Sequence, residues 1–452
     1  MSGRLLVCYS NSSNYVPTTA EYLASFARHS RWDVRYLHVT HGAELATDLG
    51  EFDAVLQSYC ARLPVDGSAS DAFCRAMAAY RGVKVIAIQD EYDNTNRLRS
   101  RLAEIGYDIV LTCIPEDQVA RVYPPEMFPN TRFVPVLTGY VPESLAARTG
   151  FTPLAARNVL LGYRGRDIGP RYGRLAFDKF EIGRRMKVEC ERLCIRHDIE
   201  WTEDKRVYGD AWYDFLGSCR AVLGTESGSN VFDWDGEVLD EYRRRGGPSY
   251  AEFLPWLAER EAEWDIGQIS PRVFEAAACH TPMVLFEGRY SGILEPETHY
   301  VALRKDFANV PAVLDRLNRP QELQEMAERA WRHLIAAGRY TYAAFVDAVE
   351  EALDDVIMSR GGHVRPALPA DRYADSPNDP ISLLSVSETP TTMPKPTIYF
   401  MYKHTVSQIG YLMRHAREQQ DLLGALAARL SYETAEHSRE ISALRLQRVR
   451  AA

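Results

Sequence analysis

The chain has 452 residues, a formal net charge of −9 at pH 7 and 25% charged residues. This length exceeds what one hydrophobic core usually supports, so we expect two domains. The acidic balance argues against general nucleic-acid binding, because no surplus of Lys and Arg is available to neutralise phosphates. No apolar run is as long as a membrane span, and the first residues lack the layout of a signal peptide, which predicts a cytoplasmic protein.

Strands and helices alternate through residues 1–150, which predicts a first α/β domain. The predicted strands lie at residues 5–9, 34–39, 53–57, 83–89, 109–112 and 133–137. Such alternation is typical of a Rossmann-like, doubly wound parallel sheet with helices on both faces. Ligands of these sheets bind beyond the carboxyl ends of the strands. The loop at residues 10–15 lacks the paired glycines of a dinucleotide-binding loop, and we interpret it as an acceptor-side or structural loop.

Three carboxylates follow the predicted strand at residues 83–89. They are Asp90, Glu91 and Asp93. Clustered carboxylates raise one another's pKa, which suits a general base that takes the proton of an acceptor hydroxyl. Asp90 is the preferred base and Glu91 the second candidate. The alternative is that Asp93 or Asn94 caps the next helix, with Asp90 and Glu91 solvated.

A second Rossmann-like domain is predicted over residues 151–359. Its first strand, at residues 158–161, runs into a loop at residues 162–174 that holds four glycines and four arginines. Backbone N–H groups freed by glycine and guanidinium groups can together bind a diphosphate. The alternative is a flexible, solvated loop. After the predicted strand at 221–223, the small-residue loop 224–230 lies where a nucleotide base or sugar would sit, and Glu226 and Ser227 can bind donor hydroxyls.

Residues 266–296 read as a loop, a short helix, a buried strand and a second loop. Ser270 is the predicted N-cap of the helix and Pro271 its first residue. The N–H groups at this helix start, with Arg272 nearby, can hold an anion such as a diphosphate. Glu275, one turn later, can accept hydrogen bonds from the two hydroxyls of a ribose. In the loop after the strand, backbone N–H groups offer a second anion site at Tyr290, Ser291 and Gly292.

Two features of the sequence bear on metal binding. The eight cysteines are scattered, form no CxxC pair and lie mostly in apolar runs, so we predict buried, reduced thiols. Asp233 and Asp235 form an Asp-x-Asp pair, which can bridge a divalent cation to a diphosphate. We interpret this pair as a turn and predict that the protein needs neither a metal nor another cofactor.

The run SPRVFEAAACHTPMVLFE, residues 270–287, resembles the donor-sugar motif of glycosyltransferases with two Rossmann-like domains facing a cleft, the GT-B fold. The resemblance is greatest to bacterial family 1 and 4 glycosyltransferases, in which a helix bearing FEAxAxGTP precedes a strand. It implies that Glu275 contacts the nucleotide ribose. It also implies that Arg164, Arg166 and Lys179 neutralise the leaving nucleotide.

The sequence departs from the family pattern at two positions. His280 stands where the family has glycine, and Gly267 stands where it has a glutamate, eight positions before Glu275. The resemblance covers residues 1–355, including the first domain, where IQDEY and LTGYVPE resemble the acceptor-side domain of such enzymes. The last helices of the fold commonly cross back onto that domain.

The end of the chain is predicted to consist of a linker and a helix. Residues 360–402 are rich in proline, glycine, serine and aspartate, which is typical of a linker. Residues 403–452 regain helical periodicity with an approximate heptad, which favours a coiled coil. Self-association through this helix is the first interpretation. Peripheral contact of its basic end with an anionic inner-membrane surface is the second.

We therefore expect a metal-independent hexosyltransferase. It would move a sugar from a nucleotide diphosphate sugar, with a UDP-sugar favoured, to a hydroxyl on a glycan, a lipid-linked molecule or a protein during bacterial glycan or glycoconjugate synthesis. Two alternatives remain. One is a nucleotide-sugar epimerase of the same fold. The other is a catalytically silent scaffold acting through its helical tail, for which the missing glutamate at Gly267 is the argument.

Overall fold

The computed structural model describes residues 3–10, 17–40, 45 and 47–367. The predicted helical tail at 403–452, most of the predicted linker and the loop at 11–16 lie outside these ranges. Within them, no helix is both long enough and apolar enough to cross a membrane.

The first domain is built on six parallel strands, as the alternating pattern predicts. The strands are β1 (Arg4–Tyr9), β2 (Asp33–His38), β3 (Ala54–Gln57), β4 (Val83–Ala87), β5 (Ile109–Thr112) and β6 (Arg132–Pro135). They lie in the order β2-β1-β3-β4-β5-β6. All residues of β3, β4 and β5 are buried, because helices cover both faces of the sheet. The helices between the strands and after β6 are α1 (Pro17–His29), α2 (Asp71–Ala79), α3 (Thr95–Ile105), α4 (Glu116–Val122) and α5 (Glu143–Ala146).

The second domain is built on five parallel strands. They are β7 (Val159–Arg164), β8 (His197–Glu200), β9 (Cys219–Gly224), β10 (Met283–Phe286) and β11 (Val301–Leu303), in the order β11-β10-β9-β7-β8. Its helices are α6 (Gly173–Arg192), α7 (Asp210–Ser218), α8 (Glu237–Arg244), α9 (Tyr250–Ala262), α10 (Pro271–Ala278), α11 (Val310–Arg316) and α12 (Pro320–Trp331). The predicted fold class, an α/β protein with two Rossmann-like domains, is confirmed for the described residues. Helix α8 was not predicted.

The last helix, α13 (Tyr342–Ser359), returns to the first domain. Its apolar face, including Phe345 and Leu353, packs in one buried cluster with β1, β3 and α1. A buried carboxylate on the same helix, Glu350, accepts a hydrogen bond from the backbone N–H of Arg31 at 3.1 Å. Beyond the helix, the first residues of the predicted linker lie against the same domain, where Arg365 pairs with Asp53 at 3.2 Å.

A second connection between the domains involves aromatic residues that precede α8 and follow α9. Phe232 and Trp264 of the second domain are buried in a core cluster made mostly by the first domain. Two arginines of the first domain stack on tryptophans of the second domain. Arg99 lies 4.3 Å from the ring of Trp234, and Arg121 lies 4.2 Å from the ring of Trp264. Buried aromatic area and cation–π contacts therefore hold the two domains together.

All eight cysteines are free thiols. Six are buried, as predicted, whereas Cys74 is half-buried and Cys194 is exposed in the turn after α6.

Candidate active site

A cavity of about 240 Å³ opens at the carboxyl ends of β7 and β9. The start of α10 and one face of α7 complete its wall. Its lining includes four cationic side chains and, among the described residues, no carboxylate. The cations are Arg164, Arg166, Lys179 and Arg272. Sequence reasoning selected all four, and the fold brings them together from β7, the loop after it, α6 and α10.

Arg164 and Lys179 are each held by neighbouring groups. The Arg164 guanidinium lies 2.7 Å from the carboxylate of Asp198 and 4.3 Å from the ring of Phe215. The Lys179 ammonium lies 3.5 Å from the hydroxyl of Ser227, another predicted residue that lines the cavity. The pKa of Lys179 is lowered to about 8, mainly by burial and then by the positive charge of Arg272, whereas the negative charge of Asp90 opposes the shift. The mutual repulsion of these positive charges favours an anion in the cavity.

Helix α10 begins at the cavity as predicted. Ser270 is its N-cap residue and Pro271 its first residue. The Ser270 side chain makes no capping hydrogen bond, so its hydroxyl lines the cavity instead. Arg272 donates to the backbone oxygen of Arg164, and its guanidinium lies 5.6 Å from the ring of Trp212. The helix start thus presents a hydroxyl, a guanidinium and the positive end of the helix dipole to one space.

Glu275 lies one turn further along α10, beside the cavity. It is not a lining residue itself, but Arg272 and Ala276 on the same helix are. The indole N–H of Trp212, which also lines the cavity, donates to Glu275 Oε2 at 2.7 Å. Burial raises the pKa of Glu275, whereas the Trp212 hydrogen bond and the Arg272 charge lower it.

Glu226 lies behind the cavity and holds a loop. It is buried, and its Oε1 accepts hydrogen bonds from the backbone N–H groups of Arg289 at 2.7 Å and Tyr290 at 3.0 Å. Burial raises the pKa of Glu226, whereas these two hydrogen bonds lower it. Its predicted role in binding donor hydroxyls needs an exposed carboxylate, and the structure instead encloses this group. A Cβ atom on Gly267 or Gly288 would overlap with the same carboxylate.

The loop with Tyr290, Ser291 and Gly292 does not provide the second anion site expected from its glycines. The N–H of Tyr290 is bound to Glu226, and that of Gly292 donates to the backbone oxygen of Arg289 at 2.8 Å. The Tyr290 side chain is buried, and its hydroxyl donates to the backbone oxygen of Phe286 at 2.6 Å. The Ser291 hydroxyl accepts from the N–H of Ile269 at 3.0 Å, which fixes the approach to α10. The loop supports the site from behind because its polar groups already have protein partners.

The structure separates the two candidate bases of the first domain. The side chain of Asp90 is 42% exposed, with its oxygens bound by Arg62 at 3.3 Å and by the hydroxyl of Tyr92 at 2.9 Å. Glu91 is fully buried and accepts hydrogen bonds from the Thr112 hydroxyl and the Cys113 N–H. Burial raises the pKa of Glu91 to about 8. Glu91 therefore stabilises the end of β5 and is closed to solvent, whereas the carboxylate of Asp90 is partly exposed.

The negative charge of Asp90 acts on Lys179 of the second domain and raises the pKa of that lysine. Next to Asp90, Asp93 pairs with Arg62 of its own domain at 3.0 Å and with Arg171 of the second domain at 3.5 Å. The alternative in which Asp93 or Asn94 caps α3 is not observed, because the N-cap residue Asn94 makes no side-chain capping bond.

Asp233 and Asp235 lie in a turn, as interpreted from the sequence. The Asp233 carboxylate accepts hydrogen bonds from the N–H groups of Val238 and Leu239, both at 3.0 Å, at the start of α8. Asp235 accepts from the side-chain amide of Asn96 at 2.9 Å. The Asp235 side chain therefore bridges the two domains, and Asp233 does so through its backbone oxygen, which accepts the N–H of Thr95 at 3.2 Å.

Sequence reasoning missed the aromatic wall of the cavity. Trp212 and Phe215 of α7 stack with ring centroids 5.5 Å apart, and both line the cavity. Their spacing along an amphipathic helix is the same as that of core residues, so the sequence carries no signal that separates the two roles.

Comparison with known proteins agrees with this geometry. Residues 174–351 match the sequence family described as glycosyl transferase-like. This segment includes most of the second domain, which holds the cavity, and the predicted resemblance is thereby confirmed for that domain. No curated protein matches the chain.

Several solved structures are similar to the chain at low identity. Anabaena Alr3699/HepE in complex with UDP-glucose is 12% identical, with a TM-score of 0.47, 78% of this chain covered and 100% of the other. An alpha-glucosyltransferase in complex with UDP-glucose and DNA containing an abasic site is 10% identical, with a TM-score of 0.48 and coverage of 79% and 100%. TarM is 11% identical, with a TM-score of 0.36 and coverage of 67% and 54%.

Proposed function

We propose that the protein is a glycosyltransferase that moves a hexosyl group from a nucleotide diphosphate sugar to a hydroxyl acceptor. The observation that carries the proposal is the cavity of about 240 Å³ with four cationic side chains and, among the described residues, no carboxylate in its lining. Four cations around one cavity favour the binding of an anion, and a diphosphate at a helix start meets both the cations and the free N–H groups of the helix. The match of residues 174–351 to glycosyl transferase-like proteins supports the same conclusion.

In the proposed reaction, the acceptor oxygen forms a bond to the anomeric carbon of the donor sugar as the bond from that carbon to the diphosphate breaks. The nucleoside diphosphate leaves with the electron pair, and its developing charge is stabilised by Arg166, Lys179 and Arg272. The acceptor proton passes to Asp90, the exposed carboxylate on the opposite side of the cleft. Because protein cations neutralise the leaving group in this scheme, it needs no metal. A UDP-sugar is the first candidate donor, and a bacterial glycan, lipid-linked or protein hydroxyl is the acceptor.

The first test is thermal unfolding in the presence of UDP, GDP, CMP and dTDP and of their sugars. A ligand that binds only the folded chain at one hundred times its Kd stabilises it by about 2.7 kcal/mol. We expect one nucleotide and its sugar to raise the Tm, and Glu275→Ala to reduce the rise. The stabilising sugar is then offered with and without hydroxyl acceptors, and the products are analysed.

The outcomes separate the proposal from its alternatives. Transfer that requires an acceptor supports a glycosyltransferase. Release or inversion of the sugar without an acceptor would indicate an epimerase. Absence of any Tm shift with the whole panel would contradict the donor site and favour a scaffold.

A further inference from the structure

We propose that Trp212 is a positioning residue that fixes Glu275 for a ribose, and so makes the site select ribonucleotides over 2′-deoxyribonucleotides. The inference rests on the proposed nucleotide site and adds a residue to it that neither the motif nor the family match indicates. It names the chemical class of ligand as a nucleoside diphosphate with both ribose hydroxyls present.

The two oxygens of Glu275 have different surroundings. Oε2 accepts the indole N–H of Trp212 at 2.7 Å. Oε1 has no hydrogen-bond partner among the residues that the structure describes. Oε1 is not fully enclosed either, so it borders accessible space. One oxygen is therefore tethered to the wall of the cavity, and the other remains for a ligand donor.

The indole is itself held in place. Its ring stacks on Phe215 with an interplanar angle of 20°, and the Arg272 guanidinium lies 5.6 Å from its centroid on α10. The guanidinium of Arg164 stacks on Phe215, 4.3 Å from the ring centroid. Two aromatic rings and two guanidinium groups thus form one stack along the cavity wall. Such a stack limits the rotamers of Trp212, and through its N–H those of Glu275.

A carboxylate anchored on one oxygen can accept the 2′- and 3′-hydroxyls of a ribose on its remaining lone pairs. The phosphate-binding cations lie beside it, because Arg272 precedes Glu275 by less than one turn of α10. A 2′-deoxyribose leaves part of this acceptor capacity unused. Hydrogen bonds to a charged group are stronger than neutral ones, so the loss is measurable as a difference in affinity.

The test is a titration of the full-length protein with UDP, GDP, ADP and CDP, each beside its 2′-deoxy counterpart. The wild type is expected to bind one ribonucleotide about tenfold more tightly than the deoxy form. Trp212→Phe keeps an aromatic ring and loses the N–H donor. We expect it to lower that ratio at least about threefold. Trp256→Phe, a half-buried tryptophan on α9 outside the cavity lining, is the matched control and should retain the ratio.

A pH series distinguishes positioning from loss of packing. Without the indole N–H, the carboxyl group of Glu275 protonates at a higher pH. As the pH is lowered, Trp212→Phe should therefore lose its ribose selectivity at a higher pH than the wild type does. Glu275→Gln provides a second variant if Trp212→Phe does not fold, and it should also lower the ratio.

Equal ratios in Trp212→Phe and Trp256→Phe would overturn the role of Trp212 while leaving the nucleotide site standing. A wild-type ratio in Glu275→Gln would overturn the ribose contact. Absence of binding by every ribonucleotide would overturn the proposed function, and this inference with it.

Discussion

The carboxylate of Glu226 occupies the space in which a side chain on Gly267 would lie. In the resembling glycosyltransferases, a glutamate stands at the position of Gly267. In this protein the carboxylate of Glu226, which follows β9, lies in the same region. The backbone N–H groups of Arg289 and Tyr290 hold it there. The glycine is therefore explained by packing, and its presence is not evidence of a silent scaffold.

Gly267→Ala tests this packing. Gly267 is not among the residues with positive φ, so only space opposes the substitution. The methyl group must displace Glu226 from its two hydrogen bonds, which we expect to lower the free energy of unfolding by about 1–3 kcal/mol in urea titrations. Gly217→Ala on α7 is the control, because no heavy atom lies within 4 Å of its added Cβ, and it should be neutral or stabilising. Equal effects of the two substitutions would refute the explanation.

Arg272→Ala tests the anion-binding wall. The substitution removes a guanidinium from the cavity lining, and we expect the Kd of the bound nucleoside diphosphate to rise about 10–100-fold. Calorimetric titration gives the Kd. Arg192→Ala at the end of α6, whose arginine pairs with Glu189 on the surface, should leave it unchanged. A similar, small effect of both variants would mean that the diphosphate binds elsewhere.

The pH dependence of binding should report Lys179, because burial lowers its pKa to about 8 in the ligand-free protein. Protonated Lys179 attracts a diphosphate, and a bound diphosphate in turn raises the pKa of the lysine. Affinity should therefore be constant well below pH 8, and should fall as the pH rises through 8 toward the higher pKa of the complex. Titrations between pH 6.5 and 9.5, a range chosen about this pKa, measure the effect. A Lys179→Met variant should bind more weakly at low pH and lose this dependence, and a wild-type profile in the variant would exclude Lys179 as its source.

Asp90→Asn separates chemistry from binding. If Asp90 accepts the acceptor proton, the amide should lower kcat for transfer about 100-fold or more, with a change of less than about threefold in nucleotide affinity. Asp355→Asn on α13, an exposed aspartate paired with Arg132, is the control. Unchanged kcat would leave Asp90 as a partner of Arg62 and Tyr92 only.

The architecture was predictable because it depends on local patterns. The apolar run 283–286 predicts a strand and the periodicity of 342–359 predicts a helix, and β10 (Met283–Phe286) and α13 (Tyr342–Ser359) have these bounds because their flanking signals are clear. The periodicity also predicts a helix that starts at residue 179, six residues after the observed start of α6. Helix α6 begins at Gly173, which has a φ of +70° and lies against Val231 and Glu261 with no room for a Cβ. That is a tertiary contact that a glycine-rich sequence does not reveal.

The candidate site was predictable where charge and motif coincide. Arg164 ends β7, Arg272 lies at the start of α10 and Lys179 lies within α6, and the fold brings the three into one cavity. Trp212 could not be found, because its partner Glu275 is 63 residues away in the chain. Glu91 could not be distinguished from Asp90 either, since adjacent residues at a strand end point in opposite directions and only the packing of β5 decides which one is buried.

The most direct test of the account is a crystal structure with the nucleotide diphosphate that raises the Tm. We predict a diphosphate within about 3 Å of the donor groups of Lys179 and Arg272, and a ribose hydroxyl within the same distance of Glu275 Oε1. A nucleotide bound in the first domain, or a diphosphate held away from the start of α10, would contradict it.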